Sequence, residues 1–138
     1  MNKAMIGTYG EYFTATRLLS WGNPAVVVPG SFKFDIVTEV AGRAVRIQVK
    51  STSREVTTKS GRKDYQFNTR SPGSNRTRQV AYEDGDYDIM ALVAVPEYRM
   101  IFLPFHKKQS IQRAASEFTR EMERQTWEDC LASLGLKE

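Results

Sequence analysis

Apolar side chains recur at helical spacing from Met5 to Trp21 and stop at Gly22-Asn23-Pro24, which predicts an opening helix closed by a strong terminator. Ala25 to Pro29 is a short β-type run. Phe34 to Val40 and Arg43 to Thr52 alternate apolar with polar positions and are rich in Val and Ile, with Ala41-Gly42 between them as a hairpin turn. Tyr65 to Thr69 predicts a further strand. The near-continuous apolar run from Tyr87 to Val95 suits a central strand buried on both faces, and Pro96-Glu97 turns the chain into Met100 to Phe105. Ser110 to Leu134 reads as helical, with Gly135 as its stop. Helix, strands, helix in that order predict a mixed α/β fold, a sandwich of sheet and helices. No repeat, low-complexity stretch or linker divides the chain, so it reads as one domain over 1–138, with a core at about 5–105 and C-terminal helices at about 108–134.

Length and composition narrow this reading. With 138 residues, 41% of them hydrophobic, the chain is long enough for a core of its own. Its longest apolar run, Ile89 to Val95, is far short of the ~20 residues that span a bilayer, and no basic segment leads an apolar one at the start. The expectation is a cytoplasmic protein with no membrane partner. Cys130 and His106 are the only residues of their kinds. One thiol makes no internal disulfide, and one thiol with one imidazole makes no four-ligand zinc cage. His106 stands beside Lys107 and Lys108 at an element end, a poor setting for a general base. What remains for chemistry is carboxylate, lysine and oxygen ligands, which suit a hard cation.

The net charge is +4, but its placement says more. Arg54, Lys59, Arg62, Lys63, Arg70, Arg76 and Arg78 face only Glu55 and Asp64 in that stretch, so this one segment carries +5. A basic patch among Ser, Thr, Gly and Asn reads either as phosphate-binding surface or as a solvated loop.

Three elements place a polar group where the local period expects apolar contact. Gly7, Glu11, Ala15 and Leu18 share one face of the first helix, so Glu11 lies on a face suited to packing on the sheet. Asp35 falls opposite Phe34 and Ile36 on its strand. On the next strand Val45, Ile47 and Val49 point one way and Arg46, Gln48 and Lys50 the other. A two-residue turn at Ala41-Gly42 sets Val40 against Arg43 and therefore Asp35 across from Gln48, roughly 5 Å apart at Cβ, with Lys50 on the diagonal; a three-residue loop would shift this by one. On the simpler register the carboxylate, amide and ammonium share a sheet face that the first helix can supply with Glu11. Two readings stay open at this point. Two carboxylates and an amide oxygen suit Mg²⁺ and a phosphodiester, with Lys50 countering negative charge. The same groups also make an ion-pair network that pins helix to sheet.

At Gly10-Glu11, Phe34-Asp35 and Ile47-Gln48-Val49-Lys50 the sequence resembles the PD-(D/E)xK nuclease superfamily, and more narrowly its small endonucleases associated with group I introns, a homing endonuclease family. Ser74-Asn75-Arg76-Thr77-Arg78 and the strands around Tyr87-Asp88 and Leu103-Pro104-Phe105 add to the likeness, which spans about Gly7 to Phe105. Phe34 stands where the superfamily has proline and Gln48 where it has an acid; the Gln-x-Lys form is the one expected of the intron-associated group. The resemblance implies an α/β restriction-endonuclease-like core, a mixed β-sheet flanked by helices, and a catalytic set of Glu11, Asp35, Gln48 and Lys50. It implies Mg²⁺, with Mn²⁺ as a substitute, held by Glu11, Asp35, Gln48 and the Val49 carbonyl. It further implies a homo-oligomer, dimer or tetramer, acting on double-stranded DNA at the nucleoid, with Lys59, Arg62, Lys63, Arg70, Asn75, Arg76 and Arg78 as DNA contacts. The expected activity is site-specific phosphodiester hydrolysis. The alternatives are a Holliday-junction-resolvase-like nuclease, or a DNA-binding module of the same fold without turnover.

Overall fold

The computed structural model describes residues 1–72 and 79–138; Asn75, Arg76 and Arg78 lie outside the described residues. The elements run α1 (Lys3–Ser20), β1 (Ala25–Val27), β2 (Ile36–Val40), β3 (Arg43–Thr52), β4 (Glu55–Thr57), β5 (Lys63–Asn68), β6 (Ser71–Pro72), β7 (Gln79–Val80), β8 (Ile89–Ala94), β9 (Arg99–Pro104), β10 (Ser110–Ala114) and α2 (Arg120–Ser133). Asn2 caps α1 by accepting the Met5 N–H at 2.9 Å. The helix closes as its terminator predicts: Gly22 turns left-handed at φ 86°, and the Asn23 N–H reaches back to the Leu18 carbonyl.

Five strands form the main sheet in the order β1-β2-β3-β8-β9. The β2–β3 hairpin has the two-residue turn, with Val40 opposite Arg43 and both Ala41 and Gly42 at positive φ, 51° and 78°. That pair of conformations matches the twist of the flanking strands and fixes the register on which the site depends. β3 and β8 pair in parallel, and all six residues of β8 are buried, as a central strand requires.

Two cores sandwich the sheet. On one face Val45, Ile47 and Val49 of β3 and Ile89, Ala91 and Val93 of β8 pack with Ala15 and Leu18 of α1 and Trp127, Cys130 and Leu131 of α2. On the other, Met90, Leu92 and Ala94 meet Tyr65, Phe67, Tyr82, Tyr87 and Phe118. A second, three-stranded sheet ordered β10-β5-β4 supplies Tyr65 and Phe67 to this second core.

The C-terminal segment departs from the all-helical expectation for Ser110 to Leu134 and from the helices placed at about 108–134. Ser110–Ala114 is a strand paired with Asn68 to Asp64 of β5, a short 3₁₀ turn follows, and the helix begins only after Thr119, whose Oγ1 accepts the Met122 N–H. Ile111 packs at the edge of the second core between exposed Ser110 and Gln112, an alternation too short to separate from a helical one by sequence. What decides it is β5, more than forty residues earlier, whose open edge needs a partner for its N–H and C=O groups.

Candidate active site

Asp35 sits one residue before β2, where the chain bends. Its N–H goes to the carbonyl of Ile47, the ladder partner of Ile36, so the backbone kinks and turns the carboxylate toward β3. Oδ2 of Asp35 accepts the Val49 N–H at 2.8 Å and Nε2 of Gln48 at 2.9 Å. The same Gln48 amide also donates to the Val49 carbonyl at 3.3 Å. Asp35 and Gln48 thus meet, as the hairpin register predicts, and the Val49 carbonyl joins their hydrogen-bonded cluster through the Gln48 amide.

Glu11 joins it from another direction than expected. α1 packs on the Val45-Ile47-Val49 face, not on the face carrying Gln48 and Lys50, so Glu11 approaches Asp35 from the α1 side of the sheet. Gly10 permits that approach: a Cβ there would fall 1.6 Å from Ser51 Oγ and 2.9 Å from Ser51 Cβ on β3. Burial, and next the Asp35 charge, push the Glu11 carboxyl up to about 7. Burial likewise lifts Asp35 above its ordinary value, against the opposing pull of the Val49 N–H and Lys50. Two half-dehydrated carboxylates repelling one another are short of a positive charge.

Lys50 is the cation beside them. Its Nζ donates to the Arg70 carbonyl at 2.7 Å and lies 5.2 Å from the centre of the Tyr82 ring. Burial pulls its pKa down to about 8, and the Asp35 charge works against that drop. Tyr82 was not singled out by sequence; it is buried, and burial followed by the Asp35 charge raises its phenol. No local period marks it, because its place beside Lys50 comes from the return of the chain before β8.

The basic residues divide into two groups. Arg62 is held by Asp64 through two bonds of 2.7 and 3.0 Å, and Lys63 by Glu55 and Glu97 at 3.3 and 3.2 Å. Lys59 is exposed in the turn between β4 and β5. Arg70 stands apart from these, beside the site: it lines a groove of about 730 Å³ with Lys3, Val49, Lys50, Arg54 and Gln109. Its Nε donates to Gln109 at 2.9 Å. The groove therefore begins at the Gln-x-Lys strand and is rimmed by Lys3, Arg54 and Arg70. Asp88 takes no part in the cluster; it pairs with Arg46 through the guanidinium at 3.2 Å and the main-chain N–H at 2.8 Å.

The donors in the cluster are all oxygens, from Glu11, Asp35, the Val49 carbonyl and the Gln48 amide once it is turned over. Such a set fits a hard divalent cation and not zinc. Among the described residues no three His, Cys, Asp or Glu side chains converge, so main-chain and amide oxygen would have to complete any such site.

A family model described as PD-(D/E)XK endonuclease matches residues 1–127. Among solved structures, the bacterial homing endonuclease I-Ssp6803I superposes with a TM-score of 0.70 over 98% of this chain and 97% of that one, at 17% identity. No curated protein matches the sequence. A likeness in shape at so low an identity fixes the restriction-endonuclease-like fold.

Proposed function

The chain belongs to the PD-(D/E)XK endonuclease family, and from that premise we propose that it is a Mg²⁺-dependent endodeoxyribonuclease that hydrolyses phosphodiester bonds at specific sites in double-stranded DNA, in the manner of a homing enzyme. The observation that carries this reading is the meeting of Asp35 with Gln48 and the Val49 main chain, with the Glu11 and Lys50 charges acting on Asp35, beside a basic groove that Val49 and Lys50 line. As an ion-pair network alone, the cluster would be badly made. Burial raises both carboxylates, and the Lys50 ammonium bonds a carbonyl rather than either of them.

Glu11, Asp35, the Val49 carbonyl and the Gln48 amide oxygen are the groups to hold Mg²⁺, or Mn²⁺ in its place. When bound, the cation supplies Lewis-acid polarisation of a phosphate oxygen and of an attacking water. The chain's own residues do the rest. The Val49 N–H and Gln48 fix the Asp35 carboxylate in orientation. The Arg70 carbonyl holds the Lys50 ammonium in place, where it meets the negative charge that develops on the scissile phosphate. Lys3, Arg54 and Arg70 take the flanking phosphates along the groove. One small site cuts one strand, so a homo-oligomer, dimer or tetramer, is needed for a double-strand break.

The test is cleavage of supercoiled plasmid, linear duplex and a four-way junction, each with Mg²⁺ and with EDTA, by the native chain and by Lys50→Ala. Mg²⁺-dependent products from duplex DNA, lost by at least about a thousandfold in the mutant while DNA affinity stays within about threefold, are expected. Equal cutting by the mutant refutes the role given to Lys50, and preference for the junction refutes the homing assignment. If the native chain leaves every substrate intact, sites bound or cut are selected from a random duplex library. Binding without cleavage throughout that library refutes the nuclease.

A further inference from the structure

Apart from Lys3 in its first turn, every exposed residue of α1 is uncharged: Ala4, Met5, Thr8, Tyr12, Thr16, Leu19 and Ser20. This is a long surface helix in a chain of which 26% is charged, and an outward face without charge is not what solvent favours. The charges of α1 are used elsewhere: Lys3 lines the groove, Glu11 faces Asp35, and Arg17 pairs with the buried Glu123 at 3.0 Å. Met5, Tyr12 and Leu19 are 55%, 61% and 55% exposed and repeat every seven residues, which aligns them in one stripe about 21 Å long. Among the described residues the remaining exposed large apolar ones, Met1, Val26, Phe32, Val80 and Tyr98, are scattered outside the helices.

The stripe is also symmetric. Met5 and Leu19 lie seven residues to either side of Tyr12, and Thr8 and Thr16 lie four to either side. A two-fold interface demands a surface complementary to itself, and an antiparallel pair of α1 helices crossing at Tyr12 satisfies that demand. It sets Met5 against Leu19 of the second copy, Thr8 against Thr16, and Tyr12 against Tyr12. No charge opposes its like across the axis. The Thr8 hydroxyl already bonds the Ala4 carbonyl at 3.2 Å, so burying it strands no donor. Antiparallel packing also sets the positive end of each helix dipole beside the negative end of the other.

We propose that the outer face of α1 is the self-association surface of this protein, formed by two copies packed antiparallel about Tyr12. It gives a surface to the homo-oligomer of the preceding reading, and its test reads mass, not cleavage. A stripe this long covers less than the roughly 800 Å² per partner of a standard interface. The association of the free protein is accordingly weak, in the micromolar range.

Sedimentation velocity of the full chain across about 1–200 μM reads it. The native protein is expected to pass from monomer to dimer within that range. Tyr12→Glu sets two carboxylates on the axis and should hold the protein monomeric with its circular dichroism unchanged. Met5→Glu and Leu19→Lys singly should each raise the dissociation constant at least about tenfold. Combined in one chain they oppose Glu to Lys twice in the antiparallel pair and should recover most of that loss. In a parallel pair the same double variant opposes like to like and stays monomeric. A native chain that is monomeric throughout, an oligomer indifferent to Tyr12→Glu, or a double variant no better than the singles each overturns the proposal. The second of these leaves the homo-oligomer standing and moves its surface elsewhere, and none of them touches the cleavage assay.

Discussion

Glu11 is the residue whose local chemistry makes the sharpest prediction. Unfolded, its carboxyl ionises near 4.5; folded, near 7, because burial and the Asp35 charge disfavour the anion. Between those values the folded state holds the proton more tightly than the unfolded one, so stability is lost as pH rises and the loss is complete above about 7. Glu11 is only partly buried, and solvent screening reduces the penalty to about 1–2 kcal/mol. In the absence of divalent cations, Glu11→Gln should raise the melting temperature by about 3–8 °C at pH 8 and leave it unchanged at pH 4. A mutant that melts with the native protein at both values would mean that Glu11 ionises normally. Mg²⁺ requires the ionised carboxyl, so its binding at pH 7 should release protons, seen as a dependence of the calorimetric heat on buffer ionisation enthalpy.

At the scale of elements, the seat of α1 on β3 decides whether Glu11 reaches Asp35 at all. Gly10 is a helix-interior glycine, where alanine would ordinarily gain about 1 kcal/mol of helix propensity. Here the added methyl would sit 1.6 Å from Ser51 Oγ, and the two elements must part. Gly10→Ala is therefore expected to destabilise by about 1–3 kcal/mol. Removing the hydroxyl with Ser51→Ala should return part of that cost in the double mutant, leaving the 2.9 Å approach to the Cβ of residue 51. Chemical denaturation of the four proteins gives the coupling, and strict additivity would exclude the clash. Glu123 fixes the helix layer in a comparable way. Its buried carboxylate joins Arg17 of α1, Arg99 and the Met100 N–H of β9 to its own α2.

For the whole molecule, the proposed function makes the distribution of paired and unpaired charge the feature that selects which part of the basic segment should meet DNA. Arg62 and Lys63 are held by Asp64, Glu55 and Glu97, whereas Arg54 and Arg70 rim the groove that starts at Lys50. Neutralising Arg54 and Arg70 together with glutamine should weaken duplex binding and lower the slope of log affinity against log salt by about 2, near 0.9 for each lost phosphate contact. Arg62→Gln should change that slope by much less, since its guanidinium is committed to Asp64. Equal effects from the two positions would return the whole segment to the interface.

Much of the molecule is determined by local pattern. The alternation of β2 and β3, the two-residue turn at Ala41-Gly42 and the helical period of α1 bring Asp35, Gln48 and Lys50 within reach of one another, because a hairpin register depends on neighbours in sequence. Contacts between distant segments settle the rest. Sequence period cannot say from which side α1 brings Glu11, since the bare backbone of Gly10 against Ser51 decides it. Nor can it tell that Ser110–Ala114 is a strand, because the open edge of β5 recruits it. The place of Tyr82 under Lys50, and the division of the arginines between carboxylate partners and open groove, depend on which chains meet in space. Periodicity encodes which face a residue presents, and only the packed tertiary structure determines what that face meets.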